Sequence, residues 1–221
     1  MKGLMQGFYT LCEWVMRLAF LNILWVLFSL LGGIVFGIFP STVAMFDISK
    51  KWLKGETGLP IFIHYWQTFK KCFIKGNTLG LLLTVIGIVL YVDFNLFINF
   101  DSMPFMILSV LAIIAILLYC LLLVYIFPIF VSYEVSILHC LKFATLIGVY
   151  KPISTFSIIC AGILLYLLFS TFPPVFFFFG ASITSYVIMW ISQNAILNIK
   201  NTVKNYPSGE MVKANAKISS S

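Results

Sequence analysis

The side chains that could do chemistry are few and far apart in the chain. Arg17, Asp93, Glu134, His64 and His139 stand out because their neighbours are largely apolar, and five cysteines are scattered from Cys12 to Cys160. Two single histidines this distant in sequence make no metal pair. The cysteines show neither CxxC nor metal-ligand spacing and read as small apolar filler. There is no Gly-rich phosphate loop, no Ser/His/Asp arrangement and no HExxH. No catalytic residue, cofactor or metal ligand is assigned, and the chain is expected not to be an enzyme. Asp93 and Arg17 form the one pair with a physical rationale. A carboxylate inside a membrane helix needs a partner or a wet cavity, and Arg17 is the only guanidinium in the chain. An ion pair between them is therefore expected.

The elements that must position these residues follow from the charge map. The chain has 221 residues, of which 62 % are hydrophobic and 10 % charged, and its mean hydropathy is +1.07. A soluble domain carries roughly 25 % charged residues. Acidic and basic side chains are missing from 18–46, 76–92, 102–133 and 152–199, and about 20 residues suffice to cross the hydrocarbon. The last stretch has room for two spans, with Pro173-Pro174 forcing a stop between them. The fold class is all-α: one polytopic transmembrane bundle over 1–221. Its five spans lie near 18–39, 77–98, 104–127, 152–172 and 175–199, with short amphipathic cytoplasmic helices in the 40–76 loop and a basic tail at 200–221.

Five spans put the lysines of 40–76, of the segment after span three and of the tail on one side, leaving only Lys2 and Arg17 opposite. The positive-inside rule then gives an outside N-terminus and a cytoplasmic C-terminus. The net charge of +7 reflects this topology and lipid contact rather than nucleic-acid binding. Nothing at the N-terminus reads as a cleavable signal peptide.

Local patterns add detail. Phe62, Tyr65, Trp66, Phe69 and Phe73 share one helical stripe, flanked by Lys70, Lys71 and Lys75. That layout reads as a membrane-surface helix lying in the headgroup layer, a reading compatible with its packing on the inner end of the bundle. Trp52, Trp66 and Phe69 are expected to face membrane or bundle, and Lys50, Lys51 and Lys71 water or headgroups, in a platform built by the two cytoplasmic loops. Ser29, Gly33 and Gly37 recur every four residues, the spacing that lets helices approach closely. In span two, Gly76, Gly80, Thr84, Gly87, Tyr91 and Asn95 form a small face opposite Asp93. IFPSTVAMFDIS (38–49) and IFPIFVSYEVS (126–136) could be a repeat or a chance match.

The order LNILWVLFSLLGG, a proline, FDISKKWLKGE, HYWQTFKKCF, YVDF and YIFPIFVSYE resembles the YesL-like family of small bacterial membrane proteins over roughly 10–200. Ser41 stands where a small alanine is expected after the proline. The resemblance implies a Gram-positive-type bacterial cell membrane and an association with carbohydrate-uptake genes, and it transfers no functional residue. The expected role is a non-enzymatic accessory or regulatory membrane protein linked to carbohydrate uptake, with subunits of a sugar transporter as partners. The alternative is a small transporter or channel for a neutral solute.

Overall fold

A computed structural model describes residues 2–98, 103–133 and 136–205, giving only the backbone of 2–4 and 195–205. Among the described residues seven helices follow one another: α1 (Lys2–Leu31), α2 (Val35–Leu53), α3 (Ile61–Ile98), α4 (Met103–Ser132), α5 (Ile137–Tyr150), α6 (Pro152–Thr171) and α7 (Pro173–Asn205). No strand occurs among the described residues. Five helices are long and apolar enough to cross a membrane: Met5–Leu31, Ile61–Ile98, Met103–Ser132, Pro152–Thr171 and Pro173–Asn194. Leu81, Val85 and Ile88 on α3, Ile107 and Leu111 on α4, and Leu164 and Leu167 on α6 all point outward. An apolar exterior of this extent is what lipid solvates and water does not. The chain is a multi-pass membrane protein.

The first span is not the continuous 18–39 helix expected. It stops at Leu31, because Gly33 (φ +75°) takes the left-handed conformation that closes a helix. The Ile34 amide then donates to Ser29 O at 2.9 Å and the Gly33 amide to Leu30 O at 3.0 Å, the paired bonds of a Schellman cap. Gly33 is thus corrected from a packing residue to a helix-ending one: nothing lies within 4 Å of where its Cβ would stand. Ser29 and Gly37 do meet, but across this break and not on a neighbouring span. A Cβ on Gly37 would sit 2.2 Å from Ser29 O.

Because of the break, α2 folds back along α1. Trp25 Nε1 donates to Thr42 Oγ1 at 3.1 Å, and Trp14 meets Trp52 edge to face at 5.7 Å. Residues 40–54, expected beyond the first span, lie beside it. A second Schellman cap at Gly55 (φ +88°) ends α2, with Glu56 N–H on Lys51 O at 3.1 Å. α3 then runs unbroken for 38 residues, merging the expected surface helix with the expected second span. Its small face packs as anticipated. Gly76 rests on Pro40, Gly80 on the Phe39 ring and Gly87 on the Tyr119 hydroxyl.

Two buried clusters hold the bundle. In one, Phe28 of α1 sits among Tyr65, Trp66 and Phe69 of α3 at 5.0–5.5 Å between rings, beside Ile48 and Trp52 of α2. In the other, Leu122, Tyr125 and Ile129 of α4 pack with Cys140, Ala144 and Ile147 of α5 and Leu79 and Leu83 of α3. Asn22, 4 % exposed, ties α7 to α1. Its Nδ2 donates to Phe177 O at 2.7 Å, and its Oδ1 accepts from Ala181 and Ser182 amides at 3.1 and 3.3 Å.

The expected Arg17–Asp93 pair does not form. Arg17 is bonded to Glu13 one turn earlier. Because α2 returns the chain, α1 meets α3 at the latter's first turns, around Phe69. Asp93 lies 24 residues further, roughly 36 Å along the helix axis. The two IFP segments also differ in setting, Pro40 lying near the start of α2 and Pro128 near the end of α4, which gives a repeat no support.

Candidate functional site

The charged side chains that face one another meet where α2, the first half of α3 and the end of α4 come together. The Gly55 cap sets α3 antiparallel to α2, and each helix then contributes a polar pair one turn apart: Asp47 and Lys51 from α2, His64 and Thr68 from α3. Residues four apart share a helix face, so the two pairs oppose each other. His64 Nε2 lies 2.7 Å from Asp47 Oδ2, and Thr68 Oγ1 donates to the same oxygen at 3.2 Å. A carboxylate only accepts, so Nε2 carries the proton, and Nδ1 is left to accept from the Lys51 ammonium at 3.4 Å. Asp47 and His64 are each partly buried, with side chains 20 % exposed.

This cluster lines a cavity of about 620 Å³ whose other walls are Val43, Gln67, Lys71, Cys72, Lys75, Phe130, Val131 and Tyr133. Thr68, Lys71, Cys72 and Lys75 fall on one face of α3 at successive turns. Lys50 is turned the other way, its ammonium donating to Val131 O at 2.7 Å and pinning α2 to α4. That corrects the outward placement expected for Lys50. Chemically, Asp47 and His64 are an acid–base pair. Both imidazole nitrogens have partners within the cluster, Asp47 on one side and Lys51 on the other.

The other anticipated residues take different places. Tyr65 and Phe69 are buried, and the Tyr65 hydroxyl donates to Ser41 O at 2.8 Å. Trp66 is 39 % exposed and carries Lys70 over its ring at 4.3 Å. The aromatic stripe is therefore mainly core, with Trp66 and Lys70 at its rim. Trp52 is buried. α5 packs mainly on α4, and among the described residues the 40–76 region meets this part of the chain chiefly at the end of α4. His139 accepts or donates locally with Ser136 at 2.7 Å. Glu134 and the tail beyond residue 205 lie outside the described residues. Asp47 and Thr68 were missed by sequence reasoning, and His64 was weighed there only as a metal ligand, although two i,i+4 polar pairs on either side of a Gly turn were there to be read.

A second, apolar cleft of about 580 Å³ opens between α1, α2, α4 and α7, lined by Trp25, Phe46, Phe127 and Phe177. The hydroxyls there spend their hydrogens on the protein: Thr42 on Ile38 O, Thr184 on Gly180 O and Ser185 on Ser182 O.

A family profile described as "Protein of unknown function, DUF624" matches residues 18–94, a stretch that contains the α2–α3 side of the polar cavity. The chain is 36 % identical to the uncharacterized protein YesV of Bacillus subtilis (strain 168) over 188 residues, covering 85 % of this chain and 90 % of YesV. It is 33 % identical to YteU of the same organism over 189 residues, covering 86 % of this chain and 85 % of YteU. With that organism's YesL the identity is 35 % over 191 residues, 86 % of this chain and 90 % of YesL. No solved structure matches. Extending over most of each of three relatives, this likeness makes the chain a member of the DUF624 family.

Proposed function

We propose that the protein is a non-enzymatic accessory protein of the bacterial cell membrane. It acts through its lysine-rich face on the permease subunits of a sugar importer. The observation that carries this reading is the concentration of polar machinery at one place. Lys51, Lys71, Lys75, Asp47 and His64 gather around one cavity, while much of the remaining helical surface is apolar and suited to lipid. A regulator needs such a recognition face, and a proton or ion pathway would need titratable groups strung along the spans.

By the positive-inside rule the lysine-rich face is cytoplasmic. An outside N-terminus rested on residues 40–76 lying wholly beyond the first span. With Trp52 returned to Trp14, we place the start of α1 on the cytoplasmic side as well. The alternative of a transporter for a neutral solute draws little from the apolar cleft, whose hydroxyl hydrogens are already bonded within the protein.

Affinity purification of the full-length protein from native membranes in mild detergent tests the proposal. Recovery of importer permease subunits in fixed proportion, lost on substituting cavity-rim residues such as Gln67, is the expected result. Recovery of the protein alone, with solute flux after reconstitution into liposomes, would replace it with the transport reading.

A further inference from the structure

We propose that the apolar cleft between α1, α2, α4 and α7 is a binding site for one acyl chain of a bilayer lipid. The inference is independent of the cytoplasmic partner argued above and adds a ligand on another side of α2.

The first argument is what the lining offers a ligand. Its polar side chains already have protein partners. Asn22 is bonded three times to α7, and Trp25 Nε1 donates to Thr42 Oγ1. The hydroxyls of Thr42, Thr184 and Ser185 donate to carbonyls of their own helices. What remains for a ligand is hydrocarbon and ring surface, from Trp25, Met45, Phe46, Phe127 and Phe177. A polar or charged molecule entering the cleft would give up its water without gaining hydrogen bonds. A hydrocarbon chain gives up nothing and gains packing contacts.

Access is the second argument. Phe46 and Phe127 stack at 5.6 Å, and one turn further along both helices Lys50 Nζ donates to Val131 O at 2.7 Å. These two contacts brace α2 against α4 at the end nearest the lysine-rich face. The mouth lies elsewhere. Val26, Leu123, Phe176 and Phe177 line the cleft and are also exposed on the outer surface, and all four sit on helices apolar enough to cross a membrane. A cleft that opens between such side chains opens onto lipid, so its occupant comes from the bilayer. Met45, Phe46 and Ser185 form the floor, at 3 %, 5 % and 1 % exposure. Size fixes the number of chains. The cleft measures about 580 Å³. At roughly 30 Å³ for a group the size of a water molecule, it takes on the order of twenty such groups, one lipid chain and not two. A chain seated there fills the gap between the α1–α2 hairpin and the pair α4 and α7.

The test places the full-length protein in nanodiscs of phosphatidylcholine whose acyl chain carries a diazirine. After illumination, carbene adducts are mapped by peptide mass spectrometry. Adducts on Met45 and Phe46, which the surrounding lipid does not reach from outside, are expected beside those on outward residues such as Leu164. Thr184→Phe and Val124→Phe fill the cleft from α7 and from α4. Each should abolish the adducts on Met45 and Phe46 while leaving that on Leu164 unchanged. Ile163→Phe, on the exposed side of α6, should leave the whole pattern as in the parent. The parent's own map is decisive even if a filled variant fails to fold. Adducts confined to the outer surface overturn the inference, and if the protein is then a dimer in the nanodisc the cleft belongs to a second copy. Adducts on Met45 and Phe46 that survive both filled variants overturn it as well.

Discussion

Gly37 and Gly33 are four residues apart and should respond to substitution in opposite ways. At Gly37 an added methyl would stand 2.2 Å from Ser29 O and 2.8 Å from the Ser29 Cα and carbonyl carbon, roughly 1 Å or more short of van der Waals contact. The obstacle is backbone within the same hairpin, so no side chain can swing aside. Gly37→Ala must open the α1–α2 turn, which should cost about 2–3 kcal/mol as overpacking. At Gly33 there is open space, and the difficulty is the positive φ alone. Gly33→Ala should cost about 1 kcal/mol, and Gly33→Asn less, since asparagine tolerates that conformation. Thermal melts in one detergent, read by size-exclusion fluorescence, would show these as drops of roughly 5–10 °C and 2–4 °C respectively. An unchanged melt for Gly37→Ala, or a Gly33→Asn variant as damaged as Gly37→Ala, would refute the hairpin geometry and restore a continuous first helix.

In a cysteine-free background, cysteines at Gly7 and Gly58 should be shielded from an impermeant reagent in intact cells, while one at Met103 should react. Labelling of Gly7 but not Gly58 would return the N-terminus to the outside. Asn22→Ala should lower stability by about 1–2 kcal/mol, because three hydrogen bonds to α7 are lost in an apolar setting; a melt within error of the parent would show that α7 is held otherwise. Arg17→Gln and Asp93→Asn should have additive effects in a double-mutant cycle, and a coupling above about 0.5 kcal/mol would revive the pair that the fold separates.

The apolar character of the spans was legible because it is a property of composition over about 20 residues, which no tertiary contact overrides. So was the small face of α3, where Gly76, Gly80 and Gly87 repeat at helical spacing and do pack. The break at Gly32-Gly33 was not, because glycine is common inside membrane helices and its φ cannot be read from its neighbours. That one misreading propagated. A continuous first span sends Trp52 away from α1 and Arg17 toward Asp93, whereas a hairpin returns Trp52 to Trp14 and keeps Arg17 far from Asp93. The polar cavity was hidden for a related reason. Asp47 and His64 are 17 residues apart, and only the antiparallel placement of α2 and α3 makes them partners.

The claim that the lysine-rich cavity face is the working surface is tested most directly by site-specific photocrosslinking in native membranes. A benzoylphenylalanine at Gln67, on the cavity rim, is compared with one at Val89, on the outward apolar side of α3. The account predicts a discrete adduct with a permease subunit of a sugar importer at Gln67 and only lipid adducts at Val89. No protein adduct at Gln67, or the same protein adduct at both positions, would contradict it.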